Sequence, residues 1–400
     1  MTGGLVGMDE LEGLRVVGET TVGWCAATPP NETSDDDGRP YVPELSSGRV
    51  DPRTPAKRAY DDPEVQRLRA HLKEHNGIKG LEIVEPHETE RAARIFFRDG
   101  FVVVNNLLDA GTLERFREGS SRVLKQILEI PGPGERKYLT ETGRLPHRYS
   151  YGTASASRQL LHDPVWASMI DLPTTTPILK KIFGGDDYFV LGAGGDLCLP
   201  GAIEYQGLHA DQRESFQIHD ARLAQAARMG IAPRRIAGTS ELDAGTAGLI
   251  MERTPPMVTI NFLMTDFTWE NGPIRQIPGT HGRVPKPPSL TDEPEWMRLS
   301  TLVGAKAGAG VFRDNRAWHG ATPNLSREIR AMPNVEYGAP WWSDETRYAR
   351  TMPHAIWETL SPHAQRIARR VKAEPGVWPP GAGAMHPAMA RRKAIKEAAV

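Results

Sequence analysis

Apolar positions recur at helical spacing in the first third of the chain and then change period. From Asp62, Pro63 takes a first-turn position, and Val65, Leu68 and Leu72 carry one apolar face toward Ile78, which predicts a helix. A second helix is predicted from Glu88 to Asp99, with Ala92, Ile95 and Phe96 on one face and Gly100 as its stop. Phe101 to Val104 reads as a short buried strand. Asp109 then caps a third helix whose apolar positions are Leu113, Phe116, Val123, Ile127 and Leu128. Beyond Tyr188 the apolar runs shorten to strand length: Tyr188 to Leu191, Met257 to Met264, Gly310 to Phe312, and Ile329 to Tyr337. Gly, Pro, Asn and Asp separate them. Helices first and strands later predict an α+β chain with a mainly β core, a double-sheet jelly roll (double-stranded β-helix) flanked by N-terminal helices.

The same pattern divides the chain. Residues 1–60 are polar and turn-rich, with an acidic stretch from Asn31 to Gly38. They read as a peripheral arm, either loose or laid over a partner subunit, so a homo-oligomer is left open. Residues 61–340 hold the periodic segments. Within them 212–256 is a long excursion, helical from His219 to Met229, and excursions of that length between barrel strands usually carry function. Residues 341–400 form a helix and loop extension ending in Arg391, Arg392 and Lys393.

Charge narrows the partners. The 49 basic and 50 acidic residues leave a net charge of −1, which argues against a nucleic-acid partner. No apolar run is long enough to span a membrane. Cys25 and Cys198 are too few for a disulfide framework or a thiolate zinc site. The N-terminus has no cationic segment leading into an apolar one. The expectation is a protein without a signal peptide in a reducing, cytoplasmic compartment.

The chemistry concentrates at His209-Ala210-Asp211, His319 and Arg330. On a strand, positions i and i+2 share a face, so His209 and Asp211 can both enter a barrel while Ala210 points away. His319 follows the strand-like Val311-Phe312 and offers a third ligand. Two imidazoles and one carboxylate suit Fe(II) and leave positions open for oxygen and a chelating cosubstrate. A 2-oxo diacid would occupy two of those positions, and its distal carboxylate then needs a cation. Arg330, eleven positions past His319 at the start of a predicted strand, offers a planar fork for it.

Other polar groups take structural readings. His281 orders a turn, His219-Asp220 are adjacent and diverge, and Asp266, Asp314 and Asn271-Gly272 read as turn or cap residues. Trp318 reads as packing beside the metal. Trp341-Trp342 read as an anchor for the tail, and Arg213 and Arg275 as ion pairs. His147 to Tyr151 and Gln206 are candidates for the substrate mouth.

Four segments together resemble the phytanoyl-CoA dioxygenase family, over roughly residues 88–338. They are Phe97-Arg98-Asp99-Gly100-Phe101 with its following valines, His209-x-Asp211, Asn271 to His281, and Trp318-His319-Gly320 with Asn324 and Arg330. The resemblance implies a double-stranded β-helix, Fe(II), and 2-oxoglutarate as cosubstrate. It implies His209, Asp211 and His319 as iron ligands and Arg330 as the clamp on the distal carboxylate. Asn261 matches a cosubstrate-contacting position, though of a different residue type. Family members often carry a hydroxyl residue two places after the second His. Here Ala321 stands there, with Thr322 next as its substitute. Related halogenases have Gly or Ala where this chain has Asp211, so oxidation of a C–H bond, foremost hydroxylation, is expected on a small organic molecule with O2. Succinate and CO2 are the coproducts. Two other classes stand beside it: a non-catalytic jelly roll binding a metal or small ligand, and a zinc-dependent hydrolase or isomerase on the same triad.

Overall fold

The structure is a computed structural model and describes residues 60–128, 148–154, 160–203, 205–282, 286–342 and 350–376. Apart from Tyr60, the polar arm lies outside the described residues, as do Cys25, His147 and the basic C-terminal end. The three N-terminal helices form where the sequence predicts them. α1 (Pro63–His75) begins where the Asp62 carboxylate accepts the Glu64 N–H at 2.8 Å, and it stops three residues short of Ile78. α2 (Thr89–Asp99) ends on Gly100, whose φ of 81° closes the last turn by donation to the Phe96 carbonyl. α3 (Ala110–Leu128) starts where Asp109 accepts the Thr112 N–H at 2.8 Å.

Nine strands form among the described residues, three of them before Tyr188. They are β1 (Ile83–Val84), β2 (Phe101–Val104), β3 (Arg148–Ser150), β4 (Phe189–Cys198), β5 (Met257–Phe262), β6 (Arg275–Gln276), β7 (Gly310–Asp314), β8 (His319–Gly320) and β9 (Arg330–Gly338). Seven of them make one sheet in the order β1-β2-β7-β5-β9-β4-β3, and β6 and β8 pair separately. Isolated bridges widen the small sheet: His209 with His319, Asn271 with Asn324, and Arg275 with Thr301. The two sheets stand either side of a cavity, which makes the jelly roll. One face of the large sheet carries the helices. Phe96, Phe116, Trp166 and Ile178 pack there against Ile260, Val335 and Tyr337, all with next to no exposure.

Alternation decides what faces inward. Along β9, Arg330, Met332, Asn334 and Glu336 line the cavity, while Ala331, Val335 and Tyr337 belong to the core. β4 runs well past the predicted Tyr188–Leu191. Its continuation through Gly192, Gly194 and Gly195 lacks the branched side chains that mark strands. Gly195 is required at its place. It has φ 142°, and a Cβ there would stand 2.5 Å from the Met332 carbonyl oxygen and 2.6 Å from Pro333 Cα.

The excursion after Asp211 contains the predicted helix (Asp220–Arg228) and a second one, Ala244–Arg253. Ion pairs tie it to the barrel. Arg222 donates to Glu214 at 2.7 Å, Arg316 reaches the same carboxylate, and Arg316 also pairs with Asp314 at 2.6 Å.

Candidate metal centre

His209 and His319 come together through their backbones. Each donates its N–H to the other's carbonyl at 3.0 Å, which sets their rings on one face with centroids 4.2 Å apart. His209 is a single bridge rather than part of a strand, so the predicted strand at 209–211 contracts to one paired residue. Asp211 still folds back beside it. Its Oδ1 lies 3.4 Å from His209 Nε2, and its Oδ2 lies 3.5 Å from His319 Nε2. The three ligand atoms lie within 4.8 Å of one another. Ligands bonded to a common ion at about 2.1 Å stand about 3 Å apart when adjacent, so the cluster is already near that size.

The rings are presented for coordination. His209 Nδ1 lies 3.1 Å from the Gly207 carbonyl oxygen and His319 Nδ1 lies 3.0 Å from that of Ala317. Donation from each Nδ1 leaves each Nε2 bare and turned to the carboxylate. Burial, with the neighbouring Arg313 charge, holds His319 well below the usual imidazole range, so it is neutral. Burial works against ionisation at Asp211. The Arg313 guanidinium, with help from both imidazoles, outweighs it and keeps the carboxyl well below the usual carboxylate range. Two imidazole nitrogens and one anionic oxygen are a donor set that fits ferrous iron.

Arg313 was not foreseen. It lies on β7, lines the cavity, and places Nη2 2.8 Å from Asp211 Oδ2. Its Nη1 is 3.1 Å from His319 Nδ1. When that nitrogen carries its proton toward Ala317, this is a contact between two donors rather than a hydrogen bond.

Arg330 opens β9 as expected and points into the same cavity of about 340 Å³, with no solvent-facing surface of its own. Its Nε donates to the Gly272 carbonyl at 3.0 Å, and its Nη2 lies 2.6 Å from Asp196 Oδ2. Asp196, on β4 and also lining the cavity, is a second residue that the sequence did not reveal. Asn261 reaches the cavity from β5, with a buried Oδ1 that has no hydrogen-bond partner. Thr322 does not reach it. Its hydroxyl donates to the Pro273 carbonyl, because it sits one place out of register with the inward-facing Ala321. Gln206 lines the cavity and accepts the Ala321 N–H at 3.0 Å. Of the cluster around Tyr151, Ser150 lines the cavity, while Tyr151 is buried and donates to Ser120 at 2.7 Å.

The remaining groups divide, and His281 does not order its turn by hydrogen bonding, because both its ring nitrogens are buried without a hydrogen-bond partner. His281 packs against Gly100, and burial lowers its pKa. His219 precedes the helix Asp220–Arg228 with its ring 5.8 Å from Trp341, on which Arg222 also stacks at 4.1 Å. Arg275 pairs with Glu293 in full burial, Arg213 is exposed, and Asn271 ties its turn to the Asp266 carbonyl at 2.7 Å. Trp318 is only half-buried.

A family model described as phytanoyl-CoA dioxygenase (PhyH) matches residues 96–332, from the end of α2 into β9, so every site residue above falls inside it. The chain belongs to the phytanoyl-CoA dioxygenase family. It is a dioxygenase-type oxidoreductase of jelly-roll fold, with iron as cofactor and 2-oxoglutarate as cosubstrate. A curated relative, Dioxygenase af480 of Aspergillus fumigatus, is 26% identical over 308 residues, 76% of each chain. Among solved structures, HygX from Streptomyces hygroscopicus, bound to nickel, 2-oxoglutarate and hygromycin B, is 15% identical with a TM-score of 0.40. That likeness covers 63% of this chain and 88% of HygX. The epimerase SnoN, in complex with Fe3+, alpha ketoglutarate and nogalamycin RO, is 18% identical with a TM-score of 0.38, over 64% of this chain and 84% of SnoN. The fold rests on the strand order and the family match rather than on these two likenesses. Among the described residues no helix is long and apolar enough to cross a membrane.

Proposed function

We propose that His209, Asp211 and His319 hold Fe(II), that Arg330 receives the distal carboxylate of 2-oxoglutarate, and that the enzyme hydroxylates a C–H bond of a small organic molecule. One observation carries the proposal. The three ligand atoms lie within 4.8 Å of one another beside a cavity that Arg330 also lines. Bound there, the iron supplies the activation of O2 and the oxidation of the C–H bond, coupled to conversion of 2-oxoglutarate into succinate and CO2. The protein's own groups orient the site. Gly207 and Ala317 carbonyls fix the two imidazoles, so both rings are oriented before the metal arrives. Asn261 lines the cavity beside the cosubstrate's place, with an amide oxygen that has no hydrogen-bond partner. Arg330 offers its charge in a place where Asp196 already shares it, so the diacid binds beside an existing ion pair rather than to a bare cation.

The cavity of about 340 Å³ is lined by polar groups together with Ile274 and Met332, which suits a small organic molecule. Asp211 leaves no vacated ligand position for a halide, which favours hydroxylation. The test is succinate formation by protein loaded with Fe(II) under nitrogen and then given 2-oxoglutarate and air. The wild type forms succinate, while Asp211→Ala falls by at least about a hundredfold, as loss of a metal ligand requires. Full activity with zinc and without 2-oxoglutarate would overturn the reading.

A further inference from the structure

We propose that Arg313 makes metal binding and diacid binding depend on one another. The inference rests on the assignment of His209, Asp211 and His319 as ligands. Arg313 is only 4% exposed and is held on β7, whose neighbours β2 and β5 fix its backbone on both sides. Its Nη2 grips Asp211 Oδ2 at 2.8 Å, while Asp211 Oδ1 faces His209 Nε2 at 3.4 Å. The guanidinium thus holds Oδ2, which also faces His319 Nε2 at 3.5 Å, and leaves Oδ1 turned to His209. Its Nε is buried with no hydrogen-bond partner, so the group is not consumed by structural bonds alone.

The electrostatics follow from position. A divalent ion among the three ligands gains one negative charge from Asp211 and meets one positive charge from Arg313 beside it. Among the groups that touch the ligand set, Asp211 and Arg313 cancel and the ion keeps its double charge, while Asp196 is spent on Arg330 and Glu336 lines the same cavity further along β9. A dianion that chelates the ion relieves that excess, so the diacid and the metal each bind better in the other's presence. Such coupling is reciprocal and commonly amounts to between about fivefold and a hundredfold in affinity. Arg313 thus acts as a positioning residue for Asp211 and sets the charge that makes the site wait for its cosubstrate.

The experiment is Mn(II) affinity, read from the electron paramagnetic resonance of free Mn(II), with and without saturating 2-oxoglutarate. It compares wild type, Arg313→Lys and Arg313→Gln, each with a melting curve. The measured quantity is the ratio of the two Mn(II) dissociation constants, which cancels any general loosening of the site. The expected result is a large ratio in the wild type, a ratio within about twofold of it for R313K, and a ratio about tenfold smaller for R313Q. A purely structural arginine would lower the melting temperature and both affinities but leave the ratio unchanged, and that outcome overturns the proposal. Mn(II) binding with an unchanged ratio in R313Q would leave the ligand assignment standing. Failure of wild-type protein to bind Mn(II) would remove both.

Discussion

Glu214 sits between two buried guanidiniums, Arg222 and Arg316. Burial opposes its charge, but the two arginines outweigh burial and bring its pKa down from 4.5 to about 2. The folded value is below the unfolded one, so its contribution is complete above about pH 4.5 and is lost as pH falls toward about 2. A displacement of that size is worth on the order of 3 kcal/mol. Chemical unfolding of the wild type therefore weakens steeply through this acid window, while Glu214→Gln starts lower at pH 7 and shows a flatter acid limb. Parallel acid limbs in the two proteins would contradict this. Other single residues differ in how plainly the sequence announces them. His209, Asp211, His319 and Arg330 were legible because their types and spacing are those of one chemistry. Arg313 and Asp196 were not, because a charged residue within a strand reads as a solvent-facing position until the fold turns that face inward. Thr322 was misplaced for a related reason. A hydroxyl was sought nearby, but the inward position belongs to Ala321, and a shift of one residue reverses the face.

Among the elements, the helices were the easier to read. Asp62 and Asp109 as caps and Gly100 as a stop act locally, so neighbouring residues suffice to place α1, α2 and α3. The strands depend on partners far along the chain. β4 shows this best. Its glycine-rich half is a strand because β9 pairs with it from Gly192 to Cys198, and no local preference would have placed it. Gly195 is where that pairing leaves no room for a side chain. Gly195→Ala forces a Cβ into the Met332 carbonyl and Pro333, in a backbone region that L side chains avoid. The expected cost is about 2–4 kcal/mol of unfolding free energy, with weaker retention of 2-oxoglutarate, since Asp196 next to it holds Arg330. Alanine at Gly230, where nothing lies within 4 Å of the added Cβ, is the reference. Its own positive φ costs only about 1 kcal/mol. Equal losses at the two positions would remove the packing argument.

For the molecule as a whole, the two sheets have different tasks. The large sheet carries the helical core on one face and on the other presents Arg313 and Arg330 to the cavity. The small sheet exists to hold His319 against His209, and its few paired residues gain rigidity from Arg275 and Glu293 buried behind it. The excursion after Asp211 is fastened through Glu214 to Arg316, three residues before His319, so the segment bearing Asp211 and the segment bearing His319 share a single ion-pair network. A crystal grown with Mn(II) and 2-oxoglutarate, with anomalous scattering collected for manganese, tests the whole arrangement at once. The expected result is one manganese peak bounded by His209, Asp211 and His319, with the diacid extending from it to Arg330. A peak at any other place, or a diacid whose far carboxylate lies away from Arg330, would contradict it.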